Sequence, residues 1–335
     1  MAVELPSELI VEILSWLPSK SLLRCRSVCK SWLSLISSTQ FSLMHLHNFN
    51  QLNSRYLVRR RFIQKEEFAV HFDDHNFSLD TNSPIKFPYN FNLSVTELLS
   101  FEIIGCCNGV ICFSIDTSGR DEIILWNPSI RRKLTLIPPM YRRSEIPDLP
   151  LRFGFGYHIT SDDYKVVRLS HGYLHESITT FQIYTVKTAI WREVVFPNDL
   201  PLFVFCKHSV FVNGSVHWLA VVWDSLAIID DYCTYKIWVL KDYNNPISLT
   251  MIYKVEFPQI NVARALGLTN NGDLIMVGYK AGDVMICNRD RCYSVYGSCS
   301  EGIDSNYTFV ERYQESLALL DHGEFDDEAR SYNFV

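Results

Sequence analysis

Ten cysteines and ten histidines are the residues of this 335-residue chain that could hold a metal or attack a carbonyl, and their spacing decides how much chemistry is on offer. Structural zinc needs two close cysteine pairs, or one pair with histidines. Here Cys106 and Cys107 are adjacent, Cys112 follows on the next apolar run, Cys287 and Cys292 are five apart, and Cys299 has no close companion. That pattern predicts no metal site and no cofactor; the thiols read as reduced, buried small hydrophobes. His171 and His175 have ligand spacing but sit in a polar stretch that reads as a solvated loop. No Gly-x-Ser-x-Gly elbow, phosphate loop or His-Glu-x-x-His run occurs. Gly154-Phe155-Gly156 has Ile159 where a dinucleotide fingerprint needs its third glycine, and reads as a close approach inside a strand. The expectation is a chain that is not an enzyme.

Composition narrows the class. Hydrophobic residues make up 47% and charged residues 20%, enough for a large core, and aromatics at 13% favour pleated surfaces. The net charge of −6 argues against nucleic acid as a partner. It is unevenly placed: residues 1–65 hold nine Lys/Arg against three Glu, and the remainder 22 against 34. Two parts facing different partners are implied, with the Arg59-Arg60-Arg61 run as a solvated seam between them. Glu4, Glu8 and Glu12 interrupt the opening apolar run, which a secretory signal would keep uncharged. The longest uncharged apolar stretch, Ser209 to Trp223, is too short to span a bilayer. Cytoplasm or nucleus is the expected compartment, with no membrane partner. The acidic tail from Asp321 reads as a frayed terminus.

Residues 5–36 are the clearly helical block. Ser7 is expected to cap a first helix carrying Leu9, Ile10, Ile13, Leu14 and Leu17 at three- and four-residue spacing, and Pro18 ends it. A second helix starts at Ser19 or Ser21, and a third carries Val28, Cys29, Trp32, Leu33 and Ile36. Three short helices cannot bury this much Leu and Ile by themselves. Two readings stand at this point: a cap tucked against the next domain, or a docking module whose leftover apolar stripe meets a partner.

The order Leu5-Pro6-Ser7-Glu8-Leu9, Glu12-Ile13-Leu14, Leu17-Pro18-Ser19-Lys20-Ser21-Leu22-Leu23-Arg24 and Val28-Cys29-Lys30-Ser31-Trp32 resembles a plant-type F-box. The resemblance implies binding to the Skp-type adaptor, and through it to a cullin, of a ubiquitin ligase. It assigns that contact to Leu5, Pro6, Leu9, Ile13, Leu14, Leu17, Pro18, Leu22, Leu23, Val28, Cys29 and Trp32.

Past residue 50 a period replaces the helical pattern. Asn108-Gly109, Asp162-Asp163, Asn213-Gly214 and Asn271-Gly272 each precede an apolar run, the signal of a β-hairpin. A second strand with a large residue follows each, at Trp126, Tyr184, Trp238 and Cys287. A weaker fifth copy lies at FAVHF, FSLD and IKFP, ending at Pro88. Units of about 50 residues with four strands suit propeller blades, with an irregular sandwich as the alternative. The closing YTFVERYQESLALL is expected to pair near the opening YLVRRRF. GCCNGVICF, ILWNPSIRR, FGFGYHITSDDYKVVRL, VFVNGSVHWLA and YQESLALL are similar to the plant type-one F-box-associated domain, often described as kelch-like. The fold class expected is therefore α+β multidomain: a three-helix F-box over 1–45, then an all-β, propeller-like domain over 50–335. By resemblance it would be the substrate-recognition subunit of a Skp–cullin–F-box ligase, holding an unidentified protein target. An adaptor-bound scaffold outside a ligase, or a propeller ligand-binding protein with a helical cap, are the alternatives. Few contacts are expected across the seam. Tyr141–Leu149, His171–Ser177 and Asp224–Tyr235 are the loops long enough to meet a target, and Trp223 is a candidate exposed residue.

Overall fold

The structure is a computed structural model that describes residues 5–62, 65–74, 76–88, 101–117, 120–136, 151–158, 161–170, 180–194, 210–212, 215–217, 220–222, 225–230, 234–240, 249–256, 262–269, 271–278, 284–287, 292–294, 308–322 and 324–325. Four helices come first and antiparallel sheets follow. α1 (Ser7–Ser15) and α2 (Ser19–Cys25) lie where the spacing places them, whereas α3 (Lys30–Ile36) begins after Val28 and Cys29, which the sequence pattern assigns to it. Pro6 and Pro18, not serines, occupy the cap positions of α1 and α2, in the extended conformation that Pro imposes before a turn. A fourth helix, α4 (Thr39–Leu52), corrects the three-helix expectation. Its cap is Ser38, whose hydroxyl accepts from the Phe41 amide at 3.2 Å. It buries Phe41, His45 and Phe49, one face at four-residue spacing.

β1 (Arg55–Phe62) pairs with β2 (Lys65–Phe72) on one edge and with β21 (Phe309–Tyr313) on the other. The expected pairing of the last strands with the first is thus present. β3 (Phe101–Cys107), β4 (Val110–Thr117), β5 (Arg120–Asn127) and β6 (Arg132–Leu136) form a meander, to whose outer edge β22 (Glu324–Phe325) adds. β7 (Leu151–His158), β8 (Asp163–Ser170), β9 (Thr180–Thr185) and β10 (Ile190–Val194) form the next. β11 (Val210–Val212) and β12 (Ser215–His217) stand as a separate pair. β13 (Ala220–Val222), β14 (Ser225–Asp230), β15 (Thr234–Leu240) and β16 (Leu249–Glu256) make a third meander. β17 (Val262–Leu268), β18 (Leu274–Gly278), β19 (Val284–Cys287) and β20 (Cys292–Ser294) make a fourth.

Period-two alternation explains how these sheets stack. On β1, Leu57 faces a core with Ile111, Phe113 and Trp126 of the first meander, while Tyr56 and Val58 face Ile275, Val284 and Ile286 of the fourth. On β4, Val110 and Cys112 turn the other way, to Phe155, Val166 and Tyr184 of the second meander. Edge strands touch in the order β21, β3, β7, β11, β13, β17, and β17 again touches β21.

Several expectations change here. β11 and β12, which flank positions 213 and 214, pair with each other and not with the sheet that contains Trp238, so this hairpin is not part of that sheet; Asn213 and Gly214 themselves lie outside the described residues. The fifth copy forms no sheet of its own: β2 joins β1, and Leu79 adds one bridge to His71. Asp224–Tyr235 is not a loop, since β14 and the start of β15 occupy it. Arg59 and Arg60 are buried within β1 rather than solvated. The tail is not frayed at its start: Asp321 pairs with Arg26 at 3.2 Å and β22 pairs with β6. Cys287 is disulfide-bonded, which overturns its reading as a free thiol; Cys25, Cys29, Cys106, Cys107 and Cys112 are free. Residues 141–149, 171–177 and 223 lie outside the described residues.

Candidate functional site

The twelve residues assigned to the adaptor divide into an outer and an inner set. Along α1, residues four apart share a face. Leu9 and Ile13 are 49% and 54% exposed, and Leu5, ahead of the helix, is 57% exposed. Trp16 continues this row, its indole Nε1 donating to Glu12 Oε1 at 2.9 Å. Pro6, Pro18 and Cys29 are exposed, and so is Val28, in the turn between α2 and α3. Leu17, Leu23 and Trp32 are half-buried. Leu14 and Leu22, at 2% and 0% exposure, belong to the core with Ile36 and Phe41, and this corrects their assignment to a docking surface. An exposed apolar row so close to a filled core has no partner within the described chain.

That core reaches across the expected seam. Leu317, Leu320 and Ile130, all from the β part, complete the pocket holding Leu14, Leu22, Ile36 and Phe41. Polar contacts reinforce it. Glu315 accepts from the Ser19 amide at 2.9 Å through Oε2 and from Arg55 Nη2 at 3.3 Å through Oε1. Its backbone amide donates to Asn50 Oδ1 and its carbonyl accepts from Asn50 Nδ2, both at 2.9 Å. Arg55 is 4% exposed; it also donates to Asp80 Oδ2 at 3.0 Å and lies over the Phe49 and Tyr313 rings. Burial works to raise the Asp80 carboxyl, but hydrogen bonds from Ser83, Arg55 and the Asn82 amide, with the Arg55 charge, hold it below the ordinary value. Asn127 Nδ2 donates to Ser316 O, Ser316 Oγ and Ala318 O at 2.8–3.0 Å, tying the same segment to the end of β5. The seam is therefore dense, contrary to expectation. Residues 313–321 form a strap that lies under the helices and against the sheets.

Burial pushes the Cys106 and Cys112 thiols well up and Cys107 to about 11, so these stay protonated at neutral pH and are poor nucleophiles. Cys29, fully exposed, has its thiol lowered by the Ser31 hydroxyl and the Trp32 amide. Among the described residues no group of three His, Cys, Asp or Glu is placed to hold a metal ion, and no helix is long and apolar enough to cross a membrane. Gly154 and Gly156 lie inside β7, as the strand reading expects. Trp126 is 1% exposed and is core. Trp191 is half-buried against Tyr184, with ring centroids 5.3 Å apart.

Sequence comparison bears on both parts. Residues 2–45 match the F-box-like family, and residues 61–229 match the family described as F-box associated beta propeller domain. The F-box/kelch-repeat protein At3g23880 of Arabidopsis thaliana is 29% identical over 217 residues, covering 64% of this chain and 58% of that protein. The Arabidopsis thaliana F-box protein CPR1 is 27% identical over 236 residues, covering 64% of this chain and 53% of its own length. The chain spans a little over half the length of these curated relatives. The strap at 313–321 falls outside both family matches.

Proposed function

The chain belongs to the family of F-box proteins that carry an F-box-associated domain, and on that premise we propose that it is the substrate-recognition subunit of a Skp–cullin–F-box ubiquitin ligase. The observation that carries this reading is the exposed row Leu5, Leu9 and Ile13, with Val28 beyond it, on a module whose inner face is already filled. Such a row suits an apolar protein surface, here a Skp-type adaptor that links the chain to a cullin. The β part then holds a protein target, and the cyclic order of edge-strand contacts supports a propeller arrangement. The protein contributes proximity: it raises the target's effective concentration at a ubiquitin-charged conjugating enzyme and supplies no bond-making group. The work is placed in the cytoplasm or nucleus. Co-purification of the full chain with adaptor and cullin, followed by reconstituted ubiquitin transfer, tests the proposal. A stable adaptor complex that transfers ubiquitin is expected. A folded chain that binds no adaptor would overturn the reading.

A further inference from the structure

We infer that Glu315 is a positioning residue, which fixes the angle between the adaptor-docking helices and the β part so that ubiquitin reaches a restricted set of lysines. The inference rests on the proposed ligase function. Its ground is the convergence of elements on this one side chain and its backbone. The first amide of α2, the Asn50 amide group near the end of α4, and the Arg55 guanidinium at the start of β1 all bond to Glu315. Glu315 itself lies two residues past the end of β21. Two helices of the module that carries the docking row, and the first strand of the β part, are thereby referred to the segment that follows β21, the strand that pairs with β1. Glu315 is only 8% exposed, so water does not readily replace these bonds.

This corner is not filled throughout by side chains. A cavity of about 240 Å³ borders it, lined by Lys20, Phe49, Asn53, Arg55, Asp80 and Glu315 among others. With Gln at 315 one of the two acceptor oxygens becomes an NH2 donor, so either the Ser19 amide or Arg55 loses its acceptor, and the space beside them leaves room for α2 and α4 to pivot. Leu5, Leu9 and Ile13 lie on the side of α1 away from the core, so their contact with the adaptor is kept.

The test uses the full chain, with site-specific non-cysteine spin labels at the exposed positions Ser34 and Thr188. Glu315→Gln is expected to keep adaptor affinity unchanged while broadening the distance distribution between the labels. Asn50→Ala, which removes the Nδ2 and Oδ1 contacts but no charge, should broaden it too. In reconstituted ubiquitin transfer with adaptor, cullin and conjugating enzyme, the modified lysines on the chain itself are mapped by mass spectrometry. The wild type should show a restricted set and both variants a wider one. An unchanged narrow distribution together with an unchanged lysine set in folded variants refutes the inference. If the wild-type complex transfers no ubiquitin at all, the ligase reading fails, while the distance measurement still decides whether Glu315 sets the angle.

Discussion

Leu22 and Leu9 are the same residue type in one small helical module, yet the structure predicts opposite phenotypes for them. Leu22 is fully buried among Leu14, Ile36, Leu317 and Leu320. Truncating such a side chain removes its transfer free energy and leaves a cavity, so Leu22→Ala should cost about 2–5 kcal/mol of stability. Adaptor affinity of the fraction that remains folded should hardly change, because the side chain does not reach the surface. Leu5, Leu9 and Ile13 are about half exposed, so truncating all three should cost little stability. Docking would bury the exposed halves. With about 1.5–3 kcal/mol for a whole side chain, three halves amount to roughly 2–4 kcal/mol. At 1.4 kcal/mol per decade, Leu5→Ala/Leu9→Ala/Ile13→Ala should weaken adaptor binding about 30- to 1,000-fold. Thermal unfolding and a binding isotherm, run on both variants, separate the effects. The reasoning fails if Leu22→Ala abolishes binding at wild-type stability, or if the triple variant binds as the wild type does.

Two further outcomes follow from the strap. Gly109 turns at φ +76°, and a Cβ there would lie 2.3 Å from the Gln314 carbonyl oxygen, so Gly109→Ala should destabilise by at least about 1–2 kcal/mol and speed amide exchange at 314–318 relative to β8 and β9. Asp80 is held below its ordinary value, so its contribution is present above the unfolded value of about 3.9 and is lost as pH falls through the lower folded value; chemical denaturation between pH 5 and 2 should show that loss, and Asp80→Asn should remove its share.

What the sequence reveals is what short-range spacing encodes. The i, i+3, i+4 recurrence of Leu and Ile gives α1 and α2, and turn pairs before apolar runs give the hairpins β3–β4, β7–β8 and β17–β18. The spacing marks a stripe on α1 but does not say which side of it meets the core, and this is why Leu14 and Leu9 receive one assignment from the sequence and two from the structure. α4 escapes notice because its middle position is His45, which a hydropathy pattern counts as polar. In the fold that imidazole is buried between Phe41 and Phe49, 6.5 and 5.5 Å away, with Nε2 2.9 Å from the Leu17 carbonyl oxygen. Burial lowers its pKa, so it sits there as a flat neutral ring. β11 and β12 pair as the hairpin signal expects, but a local signal cannot say which sheet these strands join. Cys287 and Cys292 look unpaired by metal-ligand spacing, yet register sets them opposite each other on β19 and β20. Glu315 carries no local mark at all, because every partner it has is distant in sequence.

That distance has a consequence during synthesis. Asn50 and Glu315 are separated by 265 residues. At about 5–20 residues per second, a ribosome that has released α4 needs roughly 13–53 s more before the strap exists. Throughout that interval Leu14, Leu22 and Phe41 lack the Leu317 and Leu320 side of their pocket, and the helices wait with extra apolar surface for chaperones to hold. A message that stops early yields a product that displays the docking row on an unfinished, loosely held module.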